Sequence, residues 1–176
     1  MAARKVITYG HAQLTRRAAP VTEIDERVRA LVADMFETMY ASRGIGLAAT
    51  QVAEVLRVAV LDPQATGESG TRVVTLINPE IREYSGSETF EEGCLSVPGI
   101  WADVSRPARI LLRYEDLEGR EHVEEFEGAM ARVAQHEIDH LEGRLFIDRL
   151  SRMRRALLSR KLRELEGEAR SDARKA

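Results

Sequence analysis

Cysteine is almost missing from this sequence: the single Cys94 excludes an internal disulfide and leaves three roles for its thiol, a small buried hydrophobe, a nucleophile or a metal ligand. Long apolar runs are missing as well. Nothing approaches the roughly 18–20 residues that a spanning helix needs, and the start, MAARKVITYG, lacks the apolar segment of a secretory signal. The expectation is a cytoplasmic protein that makes no use of a membrane. A formal net charge of -3 excludes a global pull toward nucleic acid or anionic lipid. There is no internal repeat, and no glycine-rich phosphate loop ending in Lys-Ser/Thr.

What is present fits one soluble domain, since 176 residues with 44% hydrophobic content can bury a proper core. In residues 25–42, DERVRALVADMFETMYAS, the residues Val28, Leu31, Val32, Met35, Phe36 and Met39 recur with helical spacing. The runs RVAVLD, RVVTLINPEI and RILLRYED follow as short strands, with a hairpin turn around DLEGRE, so the middle of the chain reads as mainly antiparallel strand. In GAMARVAQHEIDHLEG the apolar residues Met130, Val133, Ala134, Ile138 and Leu141 surround two histidines, and Gly143 is placed to end the helix. Such a helix is apolar over much of its circumference and belongs at the centre. Together these elements predict an α+β fold: short, mainly antiparallel strands packed around a central metal-binding helix, with a C-terminal amphipathic helix. The catalytic domain is expected over residues 1–165, with 166–176, EGEARSDARKA, too polar to fold alone, as a polar, flexible tail.

His136 and His140 stand one helical turn apart, so both rings leave one face and a single metal ion fits between them. Glu137 follows the first histidine, where a carboxylate can handle protons beside the ion without ligating it. Two histidines hold a divalent metal poorly, and catalytic sites of this kind bring a third protein ligand. Cys94, in FEEGCLSVPG between Gly93 and a Ser-Val-Pro-Gly turn, is the candidate. An apolar helix interior rarely tolerates two unpartnered imidazoles, which favours the metal over inert packing. A third stretch, GIGLAATQ at 44–51, sets small residues around Gln51, whose amide could donate to a carbonyl oxygen that becomes charged during attack.

With these three stretches in place the chain resembles the bacterial peptide deformylases. That family carries a GφGφAAxQ element, φ being apolar, then an EGCLS element and a QHExDH element. Here they stand in the same order as GIGLAATQ, EGCLS and QHEIDH, and the likeness extends from RRAAPV to HLEGRLFIDRLS. One departure is Ala12, where the family tends to have proline after a YGH-like start; it touches an N-terminal turn and no catalytic position. The resemblance implies Cys94, His136 and His140 as metal ligands with water fourth. It implies Glu137 as the group that takes a proton from that water and passes it to the leaving amine, with Gln51 and the backbone N–H of Leu95 binding the oxyanion. The substrate it implies is the N-formylmethionyl end of a nascent polypeptide, with formate released. The glycines Gly44, Gly46 and Gly93 would leave room for the formyl group, and Ile45, Phe90, Ala129 and Val133 would line a methionine pocket. Glu92 and Arg106 would pair to brace the cysteine loop. Ligand type alone points to zinc; the resemblance implies Fe2+ as the native ion, with Zn2+, Ni2+ or Co2+ able to replace it.

Two other readings share parts of this chemistry. A zinc endopeptidase or aminopeptidase would use the same metal and glutamate, but such enzymes bring a His or Glu downstream of the pair rather than an upstream cysteine. A non-catalytic metal-binding module would have no need of Glu137 or Gln51. Finally, residues 149–163, RLSRMRRALLSRKLR, are strongly basic, while Leu150, Met153, Leu157, Leu158, Leu162 and Leu165 are expected to face the protein. That leaves a basic ridge for phosphates, and a ribosome contact through this helix is expected to weaken with salt.

Overall fold

A computed structural model describes residues 2–173, with side chains through Ser171. Helix α1 (Glu26–Ala41) starts where Asp25 accepts a hydrogen bond from the Val28 N–H at 2.9 Å. The strands β1 (Gly46–Ala48), β2 (Val58–Leu61), β3 (Val74–Ser85), β4 (Glu88–Cys94), β5 (Val97–Arg106), β6 (Arg109–Glu115) and β7 (Glu121–Glu127) follow, then helix α2 (Gly128–Leu141). Helices α3 (Arg152–Leu157) and α4 (Ser159–Ala173) close the chain. All strand pairings are antiparallel: β1-β2-β3-β6-β7 form one sheet, and β4 and β5 form a separate hairpin.

The five-stranded sheet is covered on both faces. Val58 and Val60 of β2 pack with Leu31, Met35 and Met39 of α1, whereas Ala59 and Leu61 pack with Val133, Ala134 and Ile138 of α2. That double burial explains why VAVL is apolar without alternation. Helix α2 thus lies against the sheet with its other side toward the hairpin. The hairpin's own apolar residues Val97, Ile100 and Val104 meet Leu145, Phe146, Ile147 and Leu162 in a smaller core.

The structure corrects three expectations about local form. FEEGCLSVPG is a β-hairpin rather than a loop: Cys94 pairs with Val97 across the two-residue turn Leu95–Ser96, and a register shift between Gly93 and Cys94 re-aims the cysteine. The basic C-terminal stretch is two helices, because the chain breaks at Leu158. Past that break the apolar register changes, so Leu162 is buried while Met153 and Leu157 are 75% and 80% exposed instead of facing the protein. The chain expected as a tail from residue 166 continues α4 to Ala173, held by an Arg170–Glu166 pair at 2.8 Å and by the burial of Ala169. Residues 174–176 lie outside the described residues. Among the described residues no helix is long and apolar enough to cross a membrane.

Candidate metal centre

Helix α2 brings His136 and His140 to one face, with ring centroids 5.2 Å apart. The bulged end of β4 carries Cys94 over the same face, and its Sγ lies 3.2 Å from His140 Nε2. One ligand atom from each of the three residues falls within 4.8 Å of the others. A tetrahedral ion with bonds of about 2.3 Å to sulfur and about 2.0 Å to nitrogen has edges of about 3.5 Å, so this spacing fits a divalent ion of that kind. The donor set fits as well, since a thiolate and two imidazoles suit late first-row cations.

Protons compete for these positions. Burial opposes charge on His136, yet its contacts with Cys94 and Glu92 hold the imidazole well above its usual range. Burial, reinforced by the positive charges of His136 and Arg106, takes His140 well below that range. A cation held by these residues would compete with a proton for His136 and would meet less competition at His140.

Among the described residues, the buried side-chain polar atoms without a partner are Glu137 Oε2 and His140 Nδ1, both in this cluster. Burial pushes the Glu137 carboxyl up to about 7, against the pull of His136 and Arg106. Gly46 is required beside it, because a Cβ there would come within 2.5 Å of Glu137 Oε1 and 2.7 Å of Val133.

Charged side chains brace the ligands from behind. The Arg106 guanidinium grips Glu92 through two bonds, 2.6 and 2.9 Å, as the sequence leads one to expect, and Glu92 in turn meets His136 Nδ1 at 3.0 Å. This leaves His136 Nε2 for the metal face. Burial would raise the Glu92 carboxyl, but Arg106 and His136 outweigh it and hold the group at about 2. Arg106 also reaches Asp139 at 2.7 Å, and Arg149 closes the chain with two bonds of 2.6 Å to the same carboxylate.

A cleft of about 540 Å³ opens onto this cluster. Gly44, Ile45, Gly46, Gln51, Gly93, Cys94, Leu95, Ala129, Val133, His136 and Glu137 all line it, so the structure gathers nearly every residue singled out from the sequence. His140 is buried and does not line the cleft, and Phe90 is the other exception. It points off the cleft, under the Arg132 guanidinium 3.4 Å from its ring centroid, because it lies too far back along β4 to reach the opening.

A sequence model of the family described as polypeptide deformylase matches residues 3–156. This chain belongs to that family. It is 49% identical over 166 residues to a peptide deformylase of Alkalilimnicola ehrlichii, covering 94% of this chain and 92% of the relative. It is 47% identical over 156 residues to a peptide deformylase of Chlorobaculum parvum, covering 88% and 83%. A crystal structure of a peptide deformylase from Legionella pneumophila superposes with a TM-score of 0.84 at 40% identity, covering 99% of this chain and 100% of that one. The family's reaction, hydrolytic removal of the N-formyl group from nascent peptides, is this chain's reaction, and it makes the chain a metal-dependent hydrolase of the deformylase family.

Several members of the site escaped the sequence reading. Asp139 and Arg149 sit inside the motifs QHEIDH and LFIDRLS, and a carboxylate on the buried face of an apolar helix was itself the signal that a cation must meet it. Trp101, 65% exposed at the cleft wall, carried the signal of being the only tryptophan. Its ring lies where a Cβ on Gly93 would approach to 2.7 Å, which accounts for that glycine. Arg43 and Arg132, also on the cleft, carried no local signal.

Proposed function

We propose that Cys94, His136 and His140 hold one divalent ion, that Glu137 moves the protons of deformylation, and that Gln51 Nε2 with the Leu95 N–H receives the oxyanion. One observation carries this reading: three ligand atoms converge within 4.8 Å beside a buried carboxyl with an unpartnered oxygen. The bound cation supplies Lewis acidity, which makes water a competent nucleophile at neutral pH. Glu137 accepts the proton that water gives up as it adds to the formyl carbon. A carboxyl held at about 7 can take that proton and return it to the departing amine near neutral pH. Gln51 and Leu95 offset the charge on the former carbonyl oxygen, and the C–N bond then breaks to give formate and the free amine.

The formyl group is small and suits the space left by Gly44, Gly46 and Gly93, while Ile45, Ala129 and Val133 offer apolar walls to the methionine side chain of an N-formylmethionyl peptide. Phe90 leaves that set because of its position off the cleft. Ferrous iron is the resident ion in this reading, with Zn2+, Ni2+ or Co2+ as functional replacements. The test is amine release from formyl-Met-Ala by protein reconstituted with each metal, in air and under anaerobic conditions. The expected result is turnover that air destroys in the iron form but spares in the nickel form. Absence of turnover with every metal would sink the reading, and iron activity indifferent to air would remove iron as the native ion, because an Fe2+-thiolate site is open to oxidation.

Substrate supply adds a place of action: the cytoplasm, at the ribosome. Arg152, Arg155 and Arg163 line a shallow hollow of about 360 Å³ with Tyr9, and the exposed Met153 lies on the same short helix as Arg152 and Arg155. Replacing Arg152, Arg155 and Arg163 by serine tests this docking better than deleting residues 152–176, because deletion also removes the buried Leu162. Salt-sensitive cosedimentation with ribosomes is expected for the parent and lost in the triple variant; equal sedimentation of both excludes the contact.

A further inference from the structure

The turn that carries Cys94 also carries a fully buried hydroxyl on Ser96. The Gln51 carboxamide reaches it. Oε1 of Gln51 accepts from the Ala48 N–H at 2.8 Å, while Nε2 donates to Ser96 Oγ at 3.2 Å and approaches Cys94 Sγ at 3.6 Å. A backbone N–H only donates, so Ala48 fixes which end of the amide is oxygen and puts the nitrogen on the opposite side. That contact alone leaves the torsion at the end of the glutamine side chain soft, since such sp3–sp2 rotations are broad. Ser96 Oγ supplies the second fixed point. With one amide hydrogen committed to it, the amide plane is set and the other hydrogen is directed toward the Cys94 sulfur and the cleft.

Ser96 is itself anchored. Its carbonyl accepts from the Tyr9 N–H at 2.8 Å, and its own N–H lies 3.4 Å from Cys94 Sγ. Three consecutive residues thereby serve three purposes: Cys94 faces the metal position, Leu95 borders the cleft and Ser96 braces the glutamine.

We propose that Ser96 is a positioning residue for the oxyanion donors: its hydroxyl oxygen sets the plane of the Gln51 carboxamide, keeping one amide hydrogen aligned with the Leu95 N–H across the cleft. The proposal rests on the reading of Gln51 as an oxyanion donor, and the experiment separates the two. Ser96→Ala and Ser96→Thr are made alone and with Gln51→Ala, and kcat, KM and metal content are measured for each. Ser96→Ala is expected to lower kcat about tenfold, less than the roughly 100–1000-fold typical of deleting an oxyanion donor outright, with KM and metal content unchanged. Ser96→Thr, which keeps the hydroxyl, restores most of the rate. In the Gln51→Ala background, Ser96→Ala changes kcat less than twofold, because the residue it orients is gone. A readout independent of turnover is the side-chain amide pair of Gln51 in the nitrogen–proton NMR spectrum of the metal-free protein. Those two resonances are expected to shift and to exchange faster with solvent in Ser96→Ala. Should that variant unfold, Ser96→Cys, a similar shape with a weak acceptor, is measured in the same way. A loss that persists undiminished without Gln51, or Gln51 amide signals unchanged in Ser96→Ala, overturns the proposal while leaving the oxyanion reading intact. Full kcat in Gln51→Ala at full metal content instead removes the oxyanion reading, and the Ser96 proposal with it.

Discussion

Helices α2 and α4 have nearly the same length, 14 and 15 residues, and both are amphipathic in sequence, yet they live in opposite environments. Helix α2 lies between a sheet and a hairpin, and even its polar residues Gln135, Glu137, Asp139 and His140 are buried. Among the described side chains of α4, Leu162 and Ala169 are buried and the charged residues face water. On α4 the ion pairs are local, such as Arg160–Glu164 at 3.1 Å, one turn apart and open to solvent. On α2 the ion pairs reach to other elements: Asp139 is met by Arg106 and Arg149, and His136 by Glu92. Water can replace a partner on α4 but not on α2. The two atoms of α2 left without a partner therefore mark where something other than the protein's own groups is meant to act.

The sharpest way to break this contrast is at Glu137. Glu137→Ala is expected to lose about 100–10,000-fold in turnover. Its metal content, read by elemental analysis, should stay near that of the parent, and loss of metal would show that the carboxylate ligates. Next in size is Arg106→Met, which leaves Glu92 and Asp139 buried with one cation fewer. It should cost about 3–5 kcal/mol in urea unfolding, the range for removing one partner of a buried ion pair. Arg160→Met, on the exposed counterpart, should cost only a few tenths of a kcal/mol. Similar costs for both would erase the distinction between the two helices.

Acid should find the same difference. Glu92 is held at about 2 against an ordinary value of 4.5, so its charged form is favoured by folding. The stability this confers is complete above about pH 4.5 and is lost as the pH falls from there through about 2. Glu92→Gln is expected to flatten the decline in unfolding free energy across that window, measured by denaturant titration of the metal-free protein. An unchanged slope would place the acid sensitivity elsewhere. The smallest effect is expected at the C-terminal arm: Met153→Ala and Leu157→Ala should each change stability by less than about 0.5 kcal/mol, whereas Leu162→Ala should cost about 2–5 kcal/mol. Comparable losses at all three would mean that the arm packs as one helix.

The chemistry was legible in the sequence because it is written in residue type at short range. One helical turn sets the spacing of His136 and His140, Glu137 adjoins the first of them, and a lone cysteine followed by Leu95 and Ser96 needs no distant information to be noticed. The same holds for α1, for β6 and for α2, where periodicity within a single element reports which face is buried. Only tertiary structure decided which residues share the cleft and which charges share a partner. Phe90 and Trp101 lie on adjacent strands of one hairpin, and strand position alone put the first under Arg132 and the second at the cleft wall. The break at Leu158 likewise turned an apolar stripe into two exposed side chains and one buried leucine. The reach of Arg149 to Asp139 and of Ser96 to Gln51 depends on packing between separate elements, and no periodicity along one element encodes it.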